Sequence, residues 1–156
     1  MAALGQAKAS KVREEWLKFV FLGDQPSFLA GGSWPPGSAI SSLYASLHTA
    51  DPGEAGSPST SEATYGGYAR VAIARTSGGW TIDEPTTGAW RARNAAAIPF
   101  AAKTDAGSQS LTHLGICTAA SGGKLLYRIP LPGGPLSISQ YQSRTIPALA
   151  VTIKEL

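Results

Sequence analysis

His48 and Asp51 stand three residues apart, and a histidine beside a carboxylate begins either a proton relay or a metal pair. A relay needs a nucleophile and a metal needs further ligands, and neither follows at a recognisable spacing. His48 and the second histidine, His113, both fall in strand-like runs and read as structural residues. Asp51, Glu54 and Glu62 share one loop, and hard cations favour clustered carboxylates, but the Asp-x-Asp-x-Asp-Gly order of a dedicated calcium loop is missing. Asp83 and Glu84 are adjacent; neighbours in a strand point to opposite faces, so they make a poor acid/base pair and serve solubility. The glycine pairs, such as Gly66-Gly67 and Gly122-Gly123, never read Gly-x-Gly-x-x-Gly and never lead into a helix, so they mark turns and not phosphate cradles. Cys117, between Ile116 and Thr118, has the setting of a small buried side chain. As the single cysteine it excludes an intrachain disulfide and any cysteine-cluster metal site. No catalytic, cofactor-binding or metal-binding residue is assigned.

The elements around these residues are mostly strands. Leu43, Ala45 and Leu47 alternate with Tyr44, Ser46 and His48, and a second alternation runs from Tyr68 to Arg75; the turn-rich loop between them is held out for contact. Further strands are expected at Trp80–Ile82, Ala95–Phe100, Ser110–Thr118, Lys124–Leu131, Leu136–Ser139 and Ile146–Ile153, about eight in all, with Pro99 marking a sheet edge. That spacing, without strand–helix alternation, predicts an all-β antiparallel sandwich or barrel. One short N-terminal helix is expected over Lys11–Leu22, with Ser10 as N-cap, Glu14 and Glu15 in its first turn, and Gly23 as its stop. Val12, Trp16, Phe19 and Val20 form the face expected to pack on the sheet. The chain divides into a helix and arm, 1–40, and a β-sandwich domain, 41–156.

Composition limits the classes of function. Charged residues are 15% of the 156, against a norm of about 25%, while 18 glycines and 11 prolines favour turns and short strands. A surface poor in charge favours association with other proteins. The net charge of +3 comes from scattered residues, which is not the basic face that nucleic acid requires. No run approaches the roughly 20 apolar residues of a membrane span, and the N-terminus lacks a signal peptide's apolar core. The expected partner-binding residues are Phe28 and Trp34 on the arm, Asp51 and Glu54 on the long loop, and Trp90, Arg91 and Arg93 in a basic patch suited to a carboxylate-bearing surface.

The series Leu43 to Gly56, then Ser61-Glu62-Ala63-Thr64-Tyr65 and Gly67 to Ala72, resembles a widespread family of tailed-bacteriophage virion proteins. Gly79-Trp80-Thr81, Asn94-Ala95-Ala96, Thr112-His113 with Gly115, Lys124 to Tyr127 and a closing Ile146-Pro147 extend the resemblance over most of the chain from Ser41 onward. Members are often labelled tail fibre proteins, and look-alikes in phage heads are cement or decoration proteins with a jelly-roll-like sandwich. The arm 23–40 and the segment 84–93 depart from that pattern. The resemblance implies a non-enzymatic virion protein, made in the host bacterial cytoplasm. In the first reading it is a capsid-surface cement protein, a homo-oligomer, expected as a trimer, that bridges major capsid proteins. In the second it is a tail fibre or tail-tip component that binds host glycan, with Trp34, Trp80 and Trp90 as sugar platforms, or another tail protein.

Overall fold

The computed structural model describes residues 9–27 and 40–154. It contains one helix, α1 (Ser10–Leu22), and these strands: β1 (Ser42–His48), β2 (Val71–Ala74), β3 (Trp80–Asp83), β4 (Arg91–Asn94), β5 (Ile98–Phe100), β6 (Ser108–Leu111), β7 (His113–Cys117), β8 (Leu125–Pro130), β9 (Leu136–Ser139), β10 (Arg144–Ile146) and β11 (Thr152–Lys154). All pairings are antiparallel, and they form four sheets in the orders β2-β1-β7-β8, β11-β4-β3, β10-β5 and β6-β9. The fold is all-β and sandwich-like with one short N-terminal helix, as the strand spacing predicts.

β1 is the longest strand and lies inside the largest sheet. Leu43, Ala45 and Leu47 face the core, as their alternation requires, but Ser46 and His48 on the opposite face are also fully buried. The half-buried strand expected there is covered on both sides toward its C-terminal end. Leu17 and Phe21 of α1 join Leu43, Trp80, Ile116 and Ile138 in one hydrophobic core. Phe21 packs on Trp80 with ring centroids 4.5 Å apart, and full burial of a side chain of this kind contributes about 1.5–3 kcal/mol.

Several boundaries differ from expectation for identifiable reasons. Ser108–Leu111 and His113–Cys117 are two strands in different sheets, separated at Thr112, whose N–H donates to His48 O and whose carbonyl accepts from Leu131 N. The stretch 146–153 likewise divides into the end of β10 and most of β11. Buried Asn94 holds the intervening turn, donating through Nδ2 to Pro147 O and Ala96 O and accepting from Val151 N. β2 begins at Val71 and not at Tyr68, because Tyr68 and Arg70 turn toward Glu62. The stretch around Arg91, read as a patch, is a strand, and eleven strands stand among the described residues in place of about eight. Pro99 sits opposite Thr145 in the two-stranded ribbon β10-β5, where a missing N–H costs no central ladder bond.

The helix spans nearly the expected residues and ends at Gly23, which takes φ +79° as a C-terminal stop should. Its other expected details are corrected. Ala9, not Ser10, is the N-cap, so Glu14 and Glu15 fall outside the first turn. The Ser10 hydroxyl instead donates to Glu84 and accepts from the Trp90 indole N–H, tying the helix to the β3–β4 connection. Leu17 and Phe21, four residues apart, form the buried stripe together with Glu15, while Trp16 is 40% exposed. Glu15 is tolerated there because it accepts from both the N–H and the hydroxyl of Ser27. Arg75 closes the helix from the sheet side, donating to the carbonyls of Phe19, Val20 and Ile40. A cation at this end complements the helix dipole.

Candidate functional site

The densest set of reactive side chains lies under the loop 49–70, at the far end of β1. Period-two geometry puts Ser46 and His48 on one face of β1, and the Ser46 hydroxyl lies 2.8 Å from His48 Nε2 and 3.2 Å from Cys117 Sγ on β7. His48 Nδ1 is 2.9 Å from the carbonyl of Thr60. A carbonyl only accepts, so Nδ1 carries the ring proton. Nε2 then accepts from Ser46, whose oxygen in turn accepts from the Cys117 thiol. Gly115, opposite Ser46 in the ladder, makes room for this chain: a Cβ there would lie 2.4 Å from Ser46 Oγ and 2.6 Å from His48 Nε2.

A second layer closes over the first. Arg70 grips Glu62 with Nε at 2.6 Å and Nη2 at 2.8 Å, and its Nη1 donates to the carbonyls of Ala119 and Gly122. Tyr68 donates to Glu62 Oε1 and accepts from Leu47 N–H, so the β1 backbone, the loop and the 118–124 turn share one network. An isolated bridge between His48 and Glu62 adds backbone bonds from Thr49 N to Ser61 O and from Ala63 N to Leu47 O. The long loop is therefore fastened at its C-terminal half, not held out along its whole length.

Burial sets the protonation of these groups. It pushes the His48 imidazole below its ordinary value, and the Cys117 thiol above its own. For Glu62, burial works to raise the carboxyl, but hydrogen bonds from Arg70 and Tyr68 together with the Arg70 charge outweigh it and hold the group lower. Tyr68 is pushed upward, chiefly by burial. The pocket thus holds a neutral imidazole, a neutral thiol and a compensated ion pair.

Serine hydrogen-bonded to histidine is the first half of a hydrolytic triad, yet the geometry here serves structure. The histidine nitrogen that a hydrolase orients with a carboxylate is held by a backbone carbonyl, and Ser46, His48 and Cys117 are all 0% exposed. A substrate carbonyl has no approach to Ser46 Oγ while the loop is fastened. Among the described residues no group of three or more His, Cys, Asp or Glu is placed to hold a metal ion. Glu62, expected beside Asp51 and Glu54, is turned inward to Arg70. Asp51 faces Arg128 and accepts from Gly53 N–H.

The remaining expected contact residues are dispersed. Phe28 and Trp34 lie outside the described residues. Glu54 is exposed on the loop. Arg91 and Arg93 share one face of β4 and both bind Asp83, which stands opposite Arg91 in the β3–β4 register. Asp83 is thus a cross-strand partner and not only a solubilising charge; Arg91 first, as hydrogen-bond donor, holds its carboxyl below the usual range. Glu84, its neighbour, accepts from Ser10 and from Gly88 N–H. Trp90 is half-buried with its indole N–H engaged by Ser10, and Trp80 is completely buried, which removes Trp80 as a sugar platform. His113 keeps a lesser polar role, with Nδ1 2.9 Å from the Thr112 hydroxyl. Sequence reasoning missed Ser46, Tyr68, Arg70 and Gly115. The alternation of β1 places Ser46 beside His48, but the loop that buries them leaves no periodic signal.

No curated protein matches the chain. A protein-family model described as podophage GP4 fiber I protein gp80 matches residues 27–154, which cover the strands and the network just described. The chain belongs to that family, a family of tailed-phage virion structural proteins that carries the fibre label.

Proposed function

We propose that this chain is a fibre component of a tailed-phage particle and that it works by adhesion, holding neighbouring proteins in place without a chemical step. The observation that carries the reading is the family match over 27–154 and its fibre description. The structure supports it in one respect: the most reactive side chains are locked beneath a fastened loop, while the exposed surface is poor in charge and rich in turns. Contact energy then comes from buried area and a few anchors. The arm containing Phe28 and Trp34 and the exposed loop around Glu54 are the proposed attachment elements, and the virion is the proposed site of action.

A second reading, a cement protein on the capsid surface that bridges major capsid proteins, is favoured by the shortness of the strands. They run from three to seven residues, which suits a small block more than a shaft. Protein mass spectrometry of purified particles, calibrated on a virion protein of known copy number, combined with gold-labelled antibody imaging, separates the two. A few copies to some tens confined to the tail is the expected result. Hundreds of copies spread over the head would replace the fibre reading with the cement one, and absence from the particle would overturn both.

A further inference from the structure

A cleft of about 470 Å³ opens between the last part of the long loop and the turn that follows β7. The exposed residues Ser59, Thr64 and Ser121 line it with hydroxyls, Glu62 and Arg70 with charge, and the exposed Ala69 and Ala120 with small apolar faces. Its volume falls within the roughly 300–1,000 Å³ of small-molecule sites. The walls are fixed before any ligand arrives. Arg70 ties the loop side to the carbonyls of Ala119 and Gly122. Ser61, between Ser59 and Glu62, takes a left-handed φ of +53°, which is costly for a residue with a side chain, and its carbonyl is held by the N–H and the hydroxyl of Thr49. Such preorganisation reduces the entropy lost on binding.

The ion pair in this cleft is not saturated. Arg70 gives its Nε proton and one Nη2 proton to Glu62, and its Nη1 protons go to Ala119 O and Gly122 O, which leaves one N–H of Nη2 without a protein acceptor. Glu62 Oε1 accepts from Arg70 Nε and from Tyr68, whereas Oε2 accepts only from Arg70 Nη2 and keeps a lone pair. The cleft therefore offers a charged donor and a charged acceptor, the stronger kind of hydrogen-bonding group, beside neutral hydroxyls. No other charged side chain lines it. An anion would meet Glu62 and a cation would meet Arg70, so the pair favours neither. A neutral molecule that donates and accepts at neighbouring positions satisfies both open valences. A sugar ring does this with adjacent hydroxyls, and its C–H groups match the methyl groups of Ala69 and Ala120.

We propose that this cleft binds a neutral saccharide, with Glu62 Oε2 and Arg70 Nη2 taking adjacent sugar hydroxyls and the serine and threonine hydroxyls completing the contact. This function is additional to attachment in the particle and does not depend on which part of the particle holds the chain. The purified full chain is titrated with neutral mono- and disaccharides of glucose, galactose, mannose, rhamnose and N-acetylglucosamine, with glucuronate and glucosamine as charged controls, and followed by amide NMR shifts. At least one neutral sugar shifts the amides of residues 59–64, 68–70 and 119–122 saturably, and the charged sugars bind more weakly. Ala120→Arg fills the cleft from an exposed position, keeps the melting temperature and weakens binding by about tenfold or more. Glu62→Gln removes the charged acceptor and weakens binding to a similar degree, since a hydrogen bond to a charged group is lost; if that variant does not fold, Ala120→Arg decides alone. Failure of every neutral sugar to saturate, shifts confined to other residues, preference for the charged sugars, or an Ala120→Arg protein that binds as the wild type does would each overturn the proposal.

Discussion

Arg70 holds Glu62 through Nε and Nη2 beneath the long loop, and Arg91 holds Asp83 through the same two nitrogens on an open face of β4. The hydrogen-bond geometry is nearly identical, with distances of 2.6 and 2.8 Å for the first pair and 2.9 Å twice for the second. Their surroundings differ. The Arg70 and Glu62 side chains are 4% and 16% exposed, against 25% and 37% for Arg91 and Asp83. The inner pair also joins segments distant in sequence, since Arg70 reaches Ala119 and Gly122 and Glu62 receives Tyr68. The outer pair joins two strands that already share a ladder. Similar groups therefore fix the tertiary position of a loop in one place and reinforce a local register in the other.

Arg70→Ala offers the strongest way to break this comparison. It would leave the Glu62 carboxylate without its cation and two carbonyls without donors, and removal of one partner from a buried pair costs about 3–5 kcal/mol. Urea denaturation should show a large drop in midpoint, with faster proteolysis within 49–70 as the loop comes free. A loss no greater than that of Asp83→Asn would mean that the inner pair is not what fastens the loop. Replacing both Glu62 and Arg70 by apolar residues of similar size should recover much of the loss, because the cost lies in the stranded partner.

Acid titration acts on the same inner region with a smaller effect. Burial lowers the His48 imidazole from its ordinary 6.5, so below that value the unfolded chain binds a proton that the folded chain resists. Stability is then complete above pH 6.5 and declines as pH falls from 6.5 toward the depressed folded value. The slope reaches at most ~1.4 kcal/mol per pH unit for one proton. Glu62, also held below its ordinary 4.5, adds a second loss with the same sign at lower pH. Denaturation midpoints measured from pH 8 to pH 5 should fall for the wild type and flatten for His48→Gln. A flat wild-type profile would show that His48 is not held neutral by burial. The outer region contains no histidine, and its Asp83–Arg91 pair should be unaffected over that range.

The comparison also explains what the sequence discloses. Strand positions that follow a two-residue alternation, such as Leu43, Ala45 and Leu47, are readable because one face meets the core. Gly23 is readable as a stop because a left-handed residue ends a helix. Ser46 and His48 resist reading because the irregular loop that follows β1 folds back over them, and such a loop leaves no period in β1. Arg91 and Arg93 look like a binding patch because their partner Asp83 is identified only by the β3–β4 register, and a shift of one residue would turn those side chains to the other face. The helix face lies about one residue from the one that Trp16 and Phe19 suggest, because Leu17 and Phe21 do the packing.

Asp83→Asn is the mildest way to sharpen the comparison. The amide keeps the shape of the carboxylate and some of its hydrogen bonding, and the strands on either side keep their backbone ladder. Exposed pairs of this kind contribute from near zero to about 1 kcal/mol, and salt screens much of that. The expected outcome is a small loss of stability at low ionic strength that fades as salt is added, with Arg91 and Arg93 left free to meet solvent. The Arg70→Ala loss should persist through the same salt series, because the inner groups are shielded from ions by the loop and the 118–124 turn. Should the two losses respond to salt alike, burial would not be what distinguishes these pairs, and the loop would owe its position to its backbone bridge at His48 and Glu62.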